Sequence, residues 1–167
     1  ADQLDDKFEP SESLLALRIP SNSPNFRLAD MNDQDRFKNL EVLTTYHDFD
    51  WKKMPKLKRL WMRSSSTTVP YNFEKLDQGP NLEYLYISFP GQRTVDQLAE
   101  MENLQNLGDL YLSSSTAHSF APLAKLPKLR ALSLSNPSGS FYQLDLTKLP
   151  NLDFFYISSA DELETLE

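Results

Sequence analysis

Catalysis needs groups that transfer a proton, attack a centre or hold a metal, and this chain has few of them in usable arrangements. Its two histidines, His47 and His118, lie far apart and lack the spacing of a metal pair, so each reads as a surface loop residue. The run His47-Asp-Phe-Asp50 is too short and unsupported for an acid–base or metal site. Gly79, Gly91, Gly108 and Gly139 are the only glycines, and they form no phosphate-cradling loop. No serine occupies a nucleophile-elbow pattern. The paired carboxylates Asp5-Asp6 and Asp161-Glu162 fall on polar segments, where solvation is their expected role. With no cysteine there is no disulfide framework, thiolate metal site or cysteine nucleophile. These residues argue against an enzyme and give no reason to expect a cofactor or metal.

What remains is contact chemistry. Trp61, Tyr86 and Tyr111 follow one another at intervals of 25 residues, with Arg59, Arg63, Tyr84, Asp109, Phe154 and Tyr156 at matching offsets. Trp, Tyr and Arg are the types enriched among interface hot spots, each worth roughly 2 kcal/mol or more when buried by a partner.

A repeat places them. A leucine, an apolar residue three positions on and another two positions later recur as Leu14/Leu17/Ile19, Leu40/Leu43/Thr45, Leu57/Leu60/Met62, Leu82/Leu85/Ile87, Leu107/Leu110/Leu112, Leu129/Leu132/Leu134 and Leu152/Phe155/Ile157. Their anchors are 26, 17, 25, 25, 22 and 23 residues apart, and the second copy is the weakest, with a short interval and a Thr in its last slot. Alternation over about five positions is the signature of a short strand buried on one face. One copy cannot bury its own leucines, so neighbours stack and their strands pair in parallel. Seven strands at about 4.8 Å spacing make a sheet about 29 Å across, wide enough for a protein partner.

Between the strands, Phe73–Gln78, Thr94–Leu104 and Phe120–Leu126 carry apolar residues at helical spacing, which predicts short α or 3₁₀ turns on the outer side. Pro55, Pro80, Pro127 and Pro150 precede strands, where they stop helix and a missing N–H costs least.

Met54-Pro-Lys-Leu-Lys-Arg-Leu-Trp-Met62, Gly79-Pro-Asn-Leu-Glu-Tyr-Leu-Tyr-Ile87, Leu126-Pro-Lys-Leu-Arg-Ala-Leu-Ser-Leu134 and Leu149-Pro-Asn-Leu-Asp-Phe-Phe-Tyr-Ile157 resemble the leucine-rich repeat family, and the lead-in Phe120–Leu129 is most similar to its bacterial, internalin-like variety. The resemblance implies an α/β fold, a right-handed solenoid with a parallel concave sheet of about seven strands and short helical or 3₁₀ turns on the convex side. It implies a leucine-rich repeat domain over 14–160, an N-terminal lead-in or cap over 1–13, and a tail over 161–167 that is a partial cap or a cloning remnant. It also implies an Asn at the ninth position of each copy. Here that position holds Asn22, Asp48, Ser65, Pro90, Ser115, Pro137 and Ala160, so a regular asparagine ladder is absent, and Ser64–Ser66 and Ser113–Ser115 are expected to supply hydroxyl bonds in its place.

If the leucines point inward, the alternating residues face out in three columns. The central one reads Arg18, Thr44, Trp61, Tyr86, Tyr111, Ser133, Tyr156. The column before it reads Ala16, Val42, Arg59, Tyr84, Asp109, Ala131, Phe154, and the one after it Pro20, Tyr46, Arg63, Ser88, Ser113, Ser135, Ser158. Trp61, Tyr86 and Tyr111 should then form a lateral aromatic ladder, the expected partner-binding site, with Arg59 and Arg63 favouring a carboxylate on the partner. A protein partner fits best. Alternatives are a glycan stacked on the Trp/Tyr row, self-association as a homodimer, or a set of rings that pack only on one another for about 0.2–1 kcal/mol per pair.

Composition sets the outer limits. The 167 residues, 40% apolar and 25% charged, suit one globular domain. A formal charge of −7 opposes bulk attraction to nucleic acid or anionic membranes. No apolar run approaches a membrane span. Lys52, Lys53, Lys56, Lys58, Arg59 and Arg63 form a local basic cluster, and Asp161, Glu162 and Glu164 an acidic one, both expected to be solvated surface. The start, Ala1–Asp6, without an initiator Met, leans toward a mature terminus left by export.

Overall fold

The computed structural model describes residues 15–19, 37–47, 49–63, 73–117, 119–135 and 146–158. Each copy of the leucine pattern yields one short strand: β1 (Ala16–Arg18), β2 (Val42–Thr45), β3 (Arg59–Met62), β4 (Tyr84–Ser88), β5 (Asp109–Ser113), β6 (Ala131–Ser135) and β7 (Phe154–Ser158). They form one sheet in the order β1-β2-β3-β4-β5-β6-β7, all parallel. The expected leucine-rich repeat solenoid is the observed architecture.

Register follows the repeat frame. Leu43, Leu60, Leu85, Leu110, Leu132 and Phe155 are successive partners across the sheet. All but Phe155 are fully buried, each contributing roughly 1.5–3 kcal/mol relative to exposure. At every junction one carbonyl accepts two consecutive N–H groups of the next repeat. Glu41 O receives Lys58 and Arg59, Lys58 O receives Glu83 and Tyr84, and the pattern continues through Glu83, Gly108 and Arg130 at 2.8–3.1 Å. A carbonyl has two lone pairs, so this arrangement satisfies both donors at a strand entry with a single acceptor.

The weak second copy works because Thr45 is satisfied within the core: at 1% exposure, its Oγ1 accepts the His47 N–H at 2.9 Å. The short interval after it is filled by Phe49 and Trp51, both buried and in edge-to-face contact at 5.5 Å, a core element the repeat frame does not reveal. His47 itself is half-buried rather than a free surface residue. His118 lies outside the described residues.

The opposite side carries α1 (Phe73–Asp77), α2 (Gln92–Glu100) and 3₁₀ turns at Trp51–Lys53, Glu102–Leu104, Ala121–Lys125 and Leu146–Lys148. Val95, Leu98 and Ala99 are the buried stripe of α2. Its first residue, Gln92, clasps the next repeat: Nε2 donates to Ser119 O at 3.0 Å while Oε1 accepts the Ser119 N–H at 2.8 Å. No helix among the described residues is long and apolar enough to cross a membrane.

The missing asparagine ladder is replaced in part as expected. Ser115 is fully buried, donates to Pro90 O at 3.1 Å and accepts the Ala117 N–H at 3.2 Å. Ser64–Ser66, Leu14, the lead-in 1–13 and the tail 161–167 lie outside the described residues. The chain leaves β4 and β5 through Phe89 and Ser114, whose φ of 55° and 53° place two non-glycine residues in the left-handed region at the same point of successive repeats.

Candidate functional site

Strands β3, β4, β5 and β7 carry eight of the nine residues expected to bind a partner, and the ninth, Arg63, comes directly after β3. Pairing puts Arg59, Tyr84, Asp109, Ala131 and Phe154 in one lateral row and Trp61, Tyr86, Tyr111, Ser133 and Tyr156 in the next. Arg63 follows β3 directly and heads a third row whose other members are Ser88, Ser113, Ser135 and Ser158.

The rings do not form one continuous ladder. Trp61 packs diagonally on Tyr84, with centroids 4.6 Å apart and planes tilted by 34°. Tyr86 stacks instead on Tyr111, at 6.1 Å and 22°. Adjacent strands bring side chains at i and j±2 within reach as well as direct partners, and long aromatics choose by how they lean along the strand. Arg63 closes the second pair from above, its guanidinium carbon 5.6 Å from the Tyr86 centroid.

These contacts divide the two tyrosines electrically. Burial pushes the Tyr84 hydroxyl above its ordinary 10.0; the hydrogen bond from Trp61 opposes this, and the negative charges of ionised Tyr111, Asp109 and Tyr86 reinforce it. Burial also raises Tyr86, but hydrogen bonds from Ser113, Ser88 and Arg63, with the Arg63 charge, outweigh it and leave its pKa lowered. The serine row therefore serves the aromatic row beside it. Further along, Ser158 donates to Ser135 at 3.2 Å.

Exposure is uneven. Trp61, Tyr84, Tyr86 and Tyr111 are half-buried, whereas Phe154 and Tyr156 on β7 are 54% and 46% exposed. Ser133, between Tyr111 and Tyr156 in the register, is only 2% exposed, and its hydroxyl has no hydrogen-bond partner among the described residues. Nothing in the sequence predicts that burial of an outward-facing serine; in the register its partners are Tyr111 and Tyr156.

The basic cluster separates into two groups. Lys58 faces Glu83 at 3.5 Å and Lys56 donates to Asn39 at 2.7 Å along the strand entries, as Arg130 does to Asp153 at 2.8 Å. Arg59 and Arg63 stand on the aromatic face, and none of the ion pairs among the described residues takes Arg59. No group of His, Asp or Glu among the described residues is arranged to hold a metal ion. The face thus offers stacking, apolar burial and guanidinium contacts.

No protein-family model matches the chain, and no curated protein does. Among solved structures it is similar to an internalin C2 of Listeria monocytogenes, with 23% identity, 72% of this chain and 53% of that one covered, and a TM-score of 0.52. It is also similar to a leucine-rich repeat protein of Leptospira interrogans, at 20% identity over 86% of this chain and 37% of that one, with a TM-score of 0.55. The chain spans about half the length of the first and little more than a third of the second. The likeness is one of fold.

Proposed function

We propose that this chain is a non-catalytic binding module that captures a protein partner on the open face of its sheet. The observation carrying this reading is the concentration of outward Trp, Tyr, Phe and Arg on β3, β4, β5 and β7, with Phe154 and Tyr156 about half exposed. Packing of these rings on one another is worth only about 0.2–1 kcal/mol per pair, and a partner would remove the rest of their surface from water. The rigid sheet holds them in place beforehand, which limits the ordering cost of association.

The test is capture from fractions of the source organism by immobilised wild type and by a folded Trp61→Ala/Tyr86→Ala/Tyr111→Ala variant. A protein retained only by the wild type supports the reading; equal capture by both, or none, removes it. The hydroxyl row beside the Tyr86–Tyr111 stack favours a glycan as the second reading, since rings stack on sugar faces while hydroxyls bond to sugar hydroxyls. Binding of an oligosaccharide panel, lost on a single aromatic substitution, would replace the protein reading with that one.

A further inference from the structure

The open face is not uniform, and its asymmetry specifies a ligand. Its four central rings are paired with one another, Trp61 with Tyr84 and Tyr86 with Tyr111, so they form a floor. The unfilled contacts lie at the two sides. At β3 stand Arg59, exposed and in no ion pair among the described residues, and, directly after the strand, Arg63, held over Tyr86. On β7 stand Phe154 and Tyr156. Between them, on β5, the exposed Asp109 carries the opposite charge to the arginines.

We propose that the partner presents an extended segment crossing the strands, with a carboxylate on Arg59 and Arg63 and a large apolar side chain against Phe154 and Tyr156. This rests on reading the open face as the protein-binding face and adds the chemistry, order and spacing of what binds there. Arg59 and Phe154 are four strands apart in the same row. At about 4.8 Å per strand that is about 19 Å, which an extended chain at about 3.3 Å per residue covers in about six residues. A segment lying along the strands would reach one side only. The acidic group belongs over β3 because Asp109 repels it at β5, and because a guanidinium pairs with a carboxylate through two parallel hydrogen bonds. The chain's overall charge of −7 makes this cationic side a local exception and hence selective.

The experiment selects from a displayed library of random peptides of about 16 residues, extended to about 50 Å, against the immobilised full chain. Synthetic copies of the selected peptides are then measured by fluorescence anisotropy. The expected sequences carry Asp or Glu about six residues from an aromatic or large aliphatic residue. Arg59→Ala/Arg63→Ala and Phe154→Ser/Tyr156→Ser should each weaken binding about tenfold or more, as should moving the acidic residue next to the apolar one. Added salt should weaken the wild type and leave the arginine variant nearly unchanged. Circular dichroism melts verify that both variants fold. Failure to select peptides, selection without this spacing, or insensitivity to either double substitution overturns the proposal. If a native partner is lost with the Trp61/Tyr86/Tyr111 variant yet kept by both double variants, the protein-binding reading stands and the acidic-to-apolar order is wrong.

Discussion

Asn103 donates through Nδ2 to the carbonyl of Leu76 at 2.7 Å and to that of Pro80 at 2.9 Å, tying a 3₁₀ turn of one repeat to the helix and strand entry of the repeat before it. The residue is 8% exposed, so these two bonds lie in the interior, where a lost partner is costly. Asn103→Ala should cost about 1–3 kcal/mol in urea unfolding. Asn103→Asp, which turns the donor into an acceptor facing two carbonyls, should cost more. Equal stability of wild type and both variants would show that water reaches these carbonyls.

Leu76 O also accepts the Gly79 N–H at 2.9 Å, and there the chain runs against Trp51. A Cβ on Gly79 would lie 2.6 Å from the Trp51 Cβ and 2.9 Å from Leu76 O, closer than either backbone-anchored atom permits. Gly79→Ala should therefore destabilise by about 1–3 kcal/mol, the usual cost of overpacking. Near-ultraviolet circular dichroism, sensitive to the buried Trp51, should change with it; a spectrum and melting temperature equal to wild type would refute the clash.

Ser133 predicts the opposite behaviour. A buried hydroxyl without a partner forfeits its water bond and regains nothing, so Ser133→Ala should leave the thermal midpoint unchanged or raise it. A loss of more than about 1 kcal/mol would mean the hydroxyl is bonded.

The two tyrosines should separate in an alkaline absorbance titration. Tyr86, lowered, ionises before an ordinary phenol, and Tyr84, raised, after it. For Tyr86 the folded state gives up its proton first, so its contribution to stability grows as pH rises from its folded pKa through 10.0. For Tyr84 the unfolded state ionises first, and its contribution falls as pH rises above 10.0 through its folded pKa. Tyr86→Phe should remove the early transition and Tyr84→Phe the late one, while Arg63→Ala should move the early one upward. An early transition that stays in place in Arg63→Ala would contradict the contact between Arg63 and Tyr86.

The strands were legible because the same inward frame recurs seven times, and a period of two leaves no freedom about which side Trp61 or Tyr86 faces. The convex helical segments were legible from apolar spacing. Phe49, Trp51 and Asn103 were not, because they occur once each, outside any repeating column. The row of Trp61, Tyr86 and Tyr111 stands in register as expected, but register fixes where Cβ atoms start and not how rings lean, and Trp61 leans to Tyr84 instead of Tyr86. The uneven exposure that sets Phe154 and Tyr156 apart from the central rings depends on side-chain packing that no spacing records.

Because each strand pairs only with its immediate neighbours in chain order, the first and last repeats share no closing contact within the sheet. The array is therefore modular in a genetic sense: duplication or loss of one whole copy between Trp61 and Phe154 would keep the recurring backbone bonds of the strand entries, while side-chain ties particular to one junction, such as Gln92 to Ser119 and Asn103 to Leu76, would have to be replaced. It would also shift the distance between the arginines and the exposed aromatics by one strand, about 4.8 Å. Lineages could thus retune the reach of this face in discrete increments, like notches on a ruler, on an unchanged backbone frame.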